Sequence, residues 1–135
     1  MAAGPQTLGF FYFAAVKLAG YTAAASFLKR QYPESKVNPW FAGGVRTLIG
    51  IVVGVAAVFL GEKMGLFRST PEFFVFLVPV RILEWLLLLY IFFERPVLNL
   101  GRSLKWSSIG VAWSFTLDIP AVLAVFLIPG GAWIC

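Results

Sequence analysis

The sequence predicts an all-α integral membrane protein, a four-transmembrane-helix bundle with short loops, and three observations carry that prediction. Hydrophobic residues fill 60% of the 135 positions and charged residues 13%, a balance outside the range of soluble globular domains. The apolar residues gather into four stretches, each near the roughly 20 residues that a helix needs to cross the hydrocarbon. The connections are about ten residues long and leave no room for a soluble domain, so residues 1–135 read as a single transmembrane domain.

The first helix is expected over about 8–28. Residues 1–7 hold no Lys or Arg, and no small-residue cleavage site follows, so the stretch reads as a retained helix and not a signal peptide. Phe10, Phe11, Tyr12 and Phe13 form an interfacial aromatic belt, and Lys29 and Arg30 close the span. Lys17 falls near the centre. Ala14, Gly20, Tyr21 and Ala24 stand at helical spacing from it, mostly small residues that let another helix approach the ammonium.

The second helix is expected over about 40–60, after the breakers Pro33 and Pro39 and beginning with the interfacial Trp40 and Phe41. Gly43, Thr47, Gly50, Gly54 and Gly61 recur at helical steps and share one side, with Gly50 and Gly54 forming a GxxxG pair suited to close packing. Arg46 borders that seam. It either snorkels to the nearer interface or joins a buried charge layer.

The third helix is expected over 72–94, opened by Pro71 and Glu72 and closed by Glu94 and Arg95. It carries Arg81 and Glu84 near its middle, where each charge costs about 2.5 to 3.5 kcal/mol on insertion scales and so needs a partner away from lipid. Their spacing of three puts them on one helix face, and each is expected to serve as the other's partner. Pro79 removes a backbone donor next to the pair.

The fourth helix is expected over about 105–128, between Lys105 with Trp106 and the breakers Pro129, Gly130 and Gly131. Ser107, Gly110, Ser114, Asp118, Ala121 and Ala124 follow steps of three or four and make one small, polar face. Asp118 is central. Pro120 leaves the carbonyl near position 116 without its helical donor, and a free carbonyl beside a carboxylate suits a cation, although a proline that only shapes packing accounts for the same residues.

Alternating helix directions bring Lys17, Arg81, Glu84 and Asp118 to similar depth, within roughly 5 Å along the membrane normal at about 1.5 Å per residue. Mutual pairing is expected, with Lys17 as the partner of Asp118 and Arg46 as a fifth member. A short pattern, Val16-Lys17-Leu18 with Tyr21, is echoed by Val80-Arg81-Ile82 with Trp85, a faint sign of a parallel repeat. The first and third loops are net positive, which places them in the cytoplasm and both termini outside in a multi-pass topology.

Composition also excludes. The chain has no histidine and one cysteine, Cys135, which removes the usual ligand and general base and any internal disulfide. Six carboxylates are spread without metal-ligand spacing. No cofactor, metal or catalytic residue is expected, and an enzyme has the least support. The net charge of +5 reflects topology and attraction to anionic lipids at a cytoplasmic rim of Lys29, Arg30, Lys36, Arg102 and Lys105 rather than nucleic acid. Two functional readings follow: a small transporter, channel or ion- and solute-binding membrane protein built on the charge network, or a noncatalytic membrane subunit docked to like chains or a larger complex.

Overall fold

A computed structural model describes residues 5–65, 70–93 and 99–127. Four helices account for nearly all of them: α1 (Pro5–Gln31), α2 (Pro39–Met64), α3 (Thr70–Phe92) and α4 (Leu100–Leu127). Three segments, Leu8–Gln31, Pro39–Met64 and Phe74–Phe92, are long and apolar enough to cross a membrane. The chain is a small multi-pass membrane protein. Within α4, buried Ser103, Ser107, Ser114 and Asp118 dilute the apolar character.

Helices α1, α2 and α4 start or end beyond their expected spans because local propensity continues where apolarity stops, whereas α3 starts at Thr70 and ends at Phe92, against an expected 72–94. Lys29, Arg30 and Gln31 extend α1, and two cations suit the negative end of a helix dipole. Asn38 caps α2, its Oδ1 accepting from the Trp40 N–H at 2.9 Å, so Pro39 is the first residue of the helix and not a break before it. The far end passes Gly61, Glu62, Lys63 and Met64 and stops at Gly65, whose φ of 60° is the left-handed conformation that closes helices. In α4 the start moves back to Leu100 because Asn99 Oδ1 accepts from the Arg102 N–H at 3.1 Å. The expected boundaries at Glu94, Arg95, Pro129, Gly130 and Gly131, and the side chains of Ala121 and Ala124, lie outside the described residues, as does Cys135.

Each helix packs on its neighbours in the chain, and α1 also packs on α4, which closes the ring. The neighbours are antiparallel: Thr22 meets Gly43, Phe41 meets Phe92, Arg81 meets Asp118, and Gly20 meets Trp113. Leu48, Val52, Val55, Phe59, Val75, Leu83 and Leu87 stand exposed on the outside, whereas Lys17, Arg46, Arg81, Glu84 and Asp118 are buried. That inversion suits a lipid surround, which leaves apolar side chains content outside and drives charge inward.

The apolar core, built from Tyr21, Ala25, Leu28, Ala42, Trp85, Leu88 and Leu89, occupies the half of the bundle nearest the first loop. Small residues make it dense. A Cβ on Gly43 would lie 2.7 Å from the backbone N of Thr22, and one on Gly110 would overlap the indole of Trp85. Gly43 therefore sets the distance between α1 and α2, and Gly110 makes room for Trp85 against α4.

Candidate functional site

Below the apolar core lies a layer of five buried charges. Lys17 on α1 reaches across to Asp118 on α4, where its Nζ pairs with Oδ1. Arg81 on α3 takes the other oxygen, with Nη2 at 2.6 Å from Oδ2. Arg46 on α2 pairs with Glu84 on α3, Nη2 to Oε2 at 2.7 Å. Three of the four interfaces in the ring thus carry an ion pair. The fourth, between α1 and α2, is held by the close approach at Gly43.

One expectation needs correction, and one of two alternatives falls. Arg81 and Glu84 are each bonded elsewhere, because a three-residue step turns side chains about 60° apart around a helix, and α3 stands between α2 and α4. Each side chain reaches its own neighbour. Arg46 does not snorkel: it is 1% exposed and held by Glu84. The structure brings Lys17 and Asp118 together and draws Arg81 to the same carboxylate.

The seam residues of α4 divide by role. Ser114 Oγ accepts from Trp85 Nε1 at 3.0 Å and from the Tyr21 hydroxyl at 3.3 Å, while its carbonyl lies 3.5 Å from Lys17 Nζ. It is a polar hub and not merely a small packing residue. Ser107 is also buried, and its hydroxyl finds no partner among the described residues. On α2, Gly54 is buried. Gly50 faces no helix backbone, since the atom nearest an added Cβ is Arg46 Nη1 at 3.2 Å.

Aromatic rings cover the cations. The Arg46 guanidinium lies 4.7 Å from the Tyr21 ring centre and 5.2 Å from that of Trp85; Arg81 lies 4.3 Å from Phe115; Lys17 lies 5.4 Å from Phe13 and 5.6 Å from Tyr21. Ring faces attract desolvated cations by about 2 kcal/mol or more. Tyr21, at helical spacing from Lys17, covers both that cation and Arg46, and the four-residue step was its signal; Trp85 covers Arg46 on another helix, which no spacing along α3 could show.

The layer is unbalanced. Lys17, Arg46 and Arg81 face Glu84 and Asp118, a formal excess of one positive charge. Donors are in excess too: Arg46 Nε and Nη1 and Arg81 Nη1 are buried with no acceptor among the described residues. A buried donor left unpaired costs about 1–3 kcal/mol, more when charged. Beside Arg46, a narrow crevice lined by Phe13, Lys17, Tyr21, Thr47, Gly50 and Ile51 runs between α1 and α2 and is too tight for a water-sized sphere. Among the described residues no group of three or more His, Cys, Asp or Glu is placed to hold a metal ion. No known protein family, curated protein or solved structure matches the chain.

Proposed function

We propose that the protein is an ion-binding membrane protein of the transporter or channel class, and that its charge layer takes a small monovalent anion. The observation that carries this reading is the surplus of buried cationic donors, Arg46 Nε and Nη1 and Arg81 Nη1, over the acceptors that face them. A cation has less to bind. Both Asp118 oxygens already face protein cations, and Glu84 is engaged by Arg46. An anion beside Arg46 and Lys17 would cancel the excess charge and accept from the idle Nε and Nη1 of Arg46, and both effects are strong where water is scarce. The crevice past Lys17 and Gly50 lies beside Arg46 and is too tight for a water-sized sphere, so entry would require α1 and α2 to part.

The test uses purified protein and a panel of sodium salts of halides, nitrate, formate and phosphate. One small monovalent anion should raise the melting temperature, since a ligand bound by the folded state alone stabilises it, and the same anion should leave proteoliposomes faster than controls. Arg46→Lys keeps a cation for Glu84 but removes the fork, so it should fold and lose the response. If no salt stabilises the protein or passes the membrane, the reading fails. The alternative, a noncatalytic subunit of a homo-oligomer or larger complex, then takes its place, and purification from native membranes under mild conditions should recover a stoichiometric partner.

A further inference from the structure

Nearer the first-loop end of α1 than the crevice, an apolar groove of about 280 Å³ opens between α1 and α4. Ala23, Phe27, Trp106, Gly110 and Trp113 form its sides, and the indole of Trp85 forms its floor. The groove exists because Ala23 projects little between large aromatic walls, while Gly110 admits the Trp85 indole beneath them. One wall is pinned, with Trp113 Nε1 donating to the Gly20 carbonyl at 3.0 Å. The other end is framed by Phe27 and Trp106, packed edge to face at 5.6 Å.

We infer that this groove holds one acyl chain of an anionic phospholipid whose phosphate rests on Arg30, Arg102 and Lys105. The placement follows from helical register. Arg30 lies three residues beyond Phe27 on α1, while Arg102 and Lys105 precede Trp106 and Ile109 by four on α4, so all three continue the groove's face past its aromatic end. All three are exposed. Arg102 is already oriented there, with Nη2 on the Gln31 carbonyl at 2.8 Å and its guanidinium 4.2 Å from the Tyr32 ring centre. The nearby acid of the first loop, Glu34, leaves the cluster net positive.

Length separates a lipid from a partner helix. From Trp106 to Trp113 the groove runs seven residues, roughly 10 Å, against a hydrocarbon thickness of about 30 Å. A transmembrane helix would press along the whole span. An acyl chain anchored at the interface needs a slot within one leaflet, beginning at the headgroup level where Trp106 and the cations stand.

Native mass spectrometry of the detergent-purified full chain tests this with phosphatidylglycerol and phosphatidylcholine of identical acyl chains. The first phosphatidylglycerol should bind roughly tenfold more tightly, as expected for two or more cations meeting a phosphate that choline does not offset. Replacing Arg30 and Lys105 together by Gln should erase that preference while leaving weak binding of both lipids. Ala23→Phe, at an exposed position, should fill the groove and weaken both. Equal affinity of the wild type for the two lipids, or unchanged binding in Ala23→Phe, overturns the inference. Release of a dimer to monomers by Ala23→Phe also overturns it, because a second copy of the chain would then be the occupant.

Discussion

Arg81 and Glu84 stand three residues apart on α3, yet each pairs away from the other, Arg81 with Asp118 on α4 at 2.6 Å and Glu84 with Arg46 on α2 at 2.7 Å. Both bonds cross a helix interface. The third helix is thereby tied to both of its neighbours at the same depth, which makes its rotation about its own axis a matter of charge as well as of packing.

The partition is open to a double-mutant cycle. Glu84→Gln should strand Arg46 and cost about 3–5 kcal/mol, the range for breaking a buried pair. Coupling measured by thermal melting in detergent should be about 1–3 kcal/mol for Arg46 with Glu84 and near zero for Arg81 with Glu84. Equal coupling at both pairs would mean that proximity along α3 outweighs the bonds between helices.

Asp118 serves two cations at once, so its loss should be the more damaging of the two carboxylate substitutions. Asp118→Asn is expected to lower the melting temperature further than Glu84→Gln. Adding Lys17→Met should recover part of the loss and leave the remainder with Arg81, whose partner is still missing. Full recovery by Lys17→Met alone would show that the Arg81 bond contributes little.

Two adjacent glycines on α2 offer a sharper contrast. A methyl on Gly43 would meet the backbone of Thr22 at 2.7 to 2.8 Å, whereas on Gly44 the nearest atom is Leu18 Cδ1 at 4.0 Å. Gly43→Ala should cost about 1–3 kcal/mol, because backbone cannot step aside as a side chain does. Gly44→Ala should be neutral or slightly stabilising in a helix. Similar melting temperatures for the two variants would disprove the close contact between α1 and α2.

Topology is testable independently of the charge layer. In a Cys135→Ser background, Glu34→Cys in the first loop should resist an impermeant thiol reagent added to intact cells, while Glu62→Cys near the other end of α2 should react. The loop charge bias motivates that orientation. Labelling of Glu34→Cys from outside would reverse it.

The helices were legible because lipid demands long apolar runs, and few other structures satisfy the backbone there. Their ends were less so. Past Leu28 and Leu60 the chain turns polar yet stays helical for several residues, and the real starts and stops are set by local groups such as Asn38, Asn99 and Gly65. In the charge layer, matched depth was enough to bring Lys17 to Asp118. Depth says nothing about direction around a helix axis, and for that reason the partners of Arg81, Glu84 and Arg46 could not be assigned from spacing along the chain. The covering rings of Tyr21, Trp85 and Phe115 were hidden for a different reason: in an apolar segment an aromatic residue has many ordinary uses, and only the fold shows which one stands over a cation.

The carboxylate that Lys17 and Arg81 share lies on α4, which leaves the ribosome after α1, α2 and α3. While α1, α2 and α3 are being inserted, Arg46 can meet Glu84, but Lys17 and Arg81 have as yet no Asp118 to face. The first three helices would meanwhile carry two cations without Asp118, which membrane hydrocarbon tolerates poorly. Arrival of α4 gives both cations one shared carboxylate. Synthesis that halts before Asp118 would leave a fragment carrying more unneutralised intramembrane charge than the four-helix bundle.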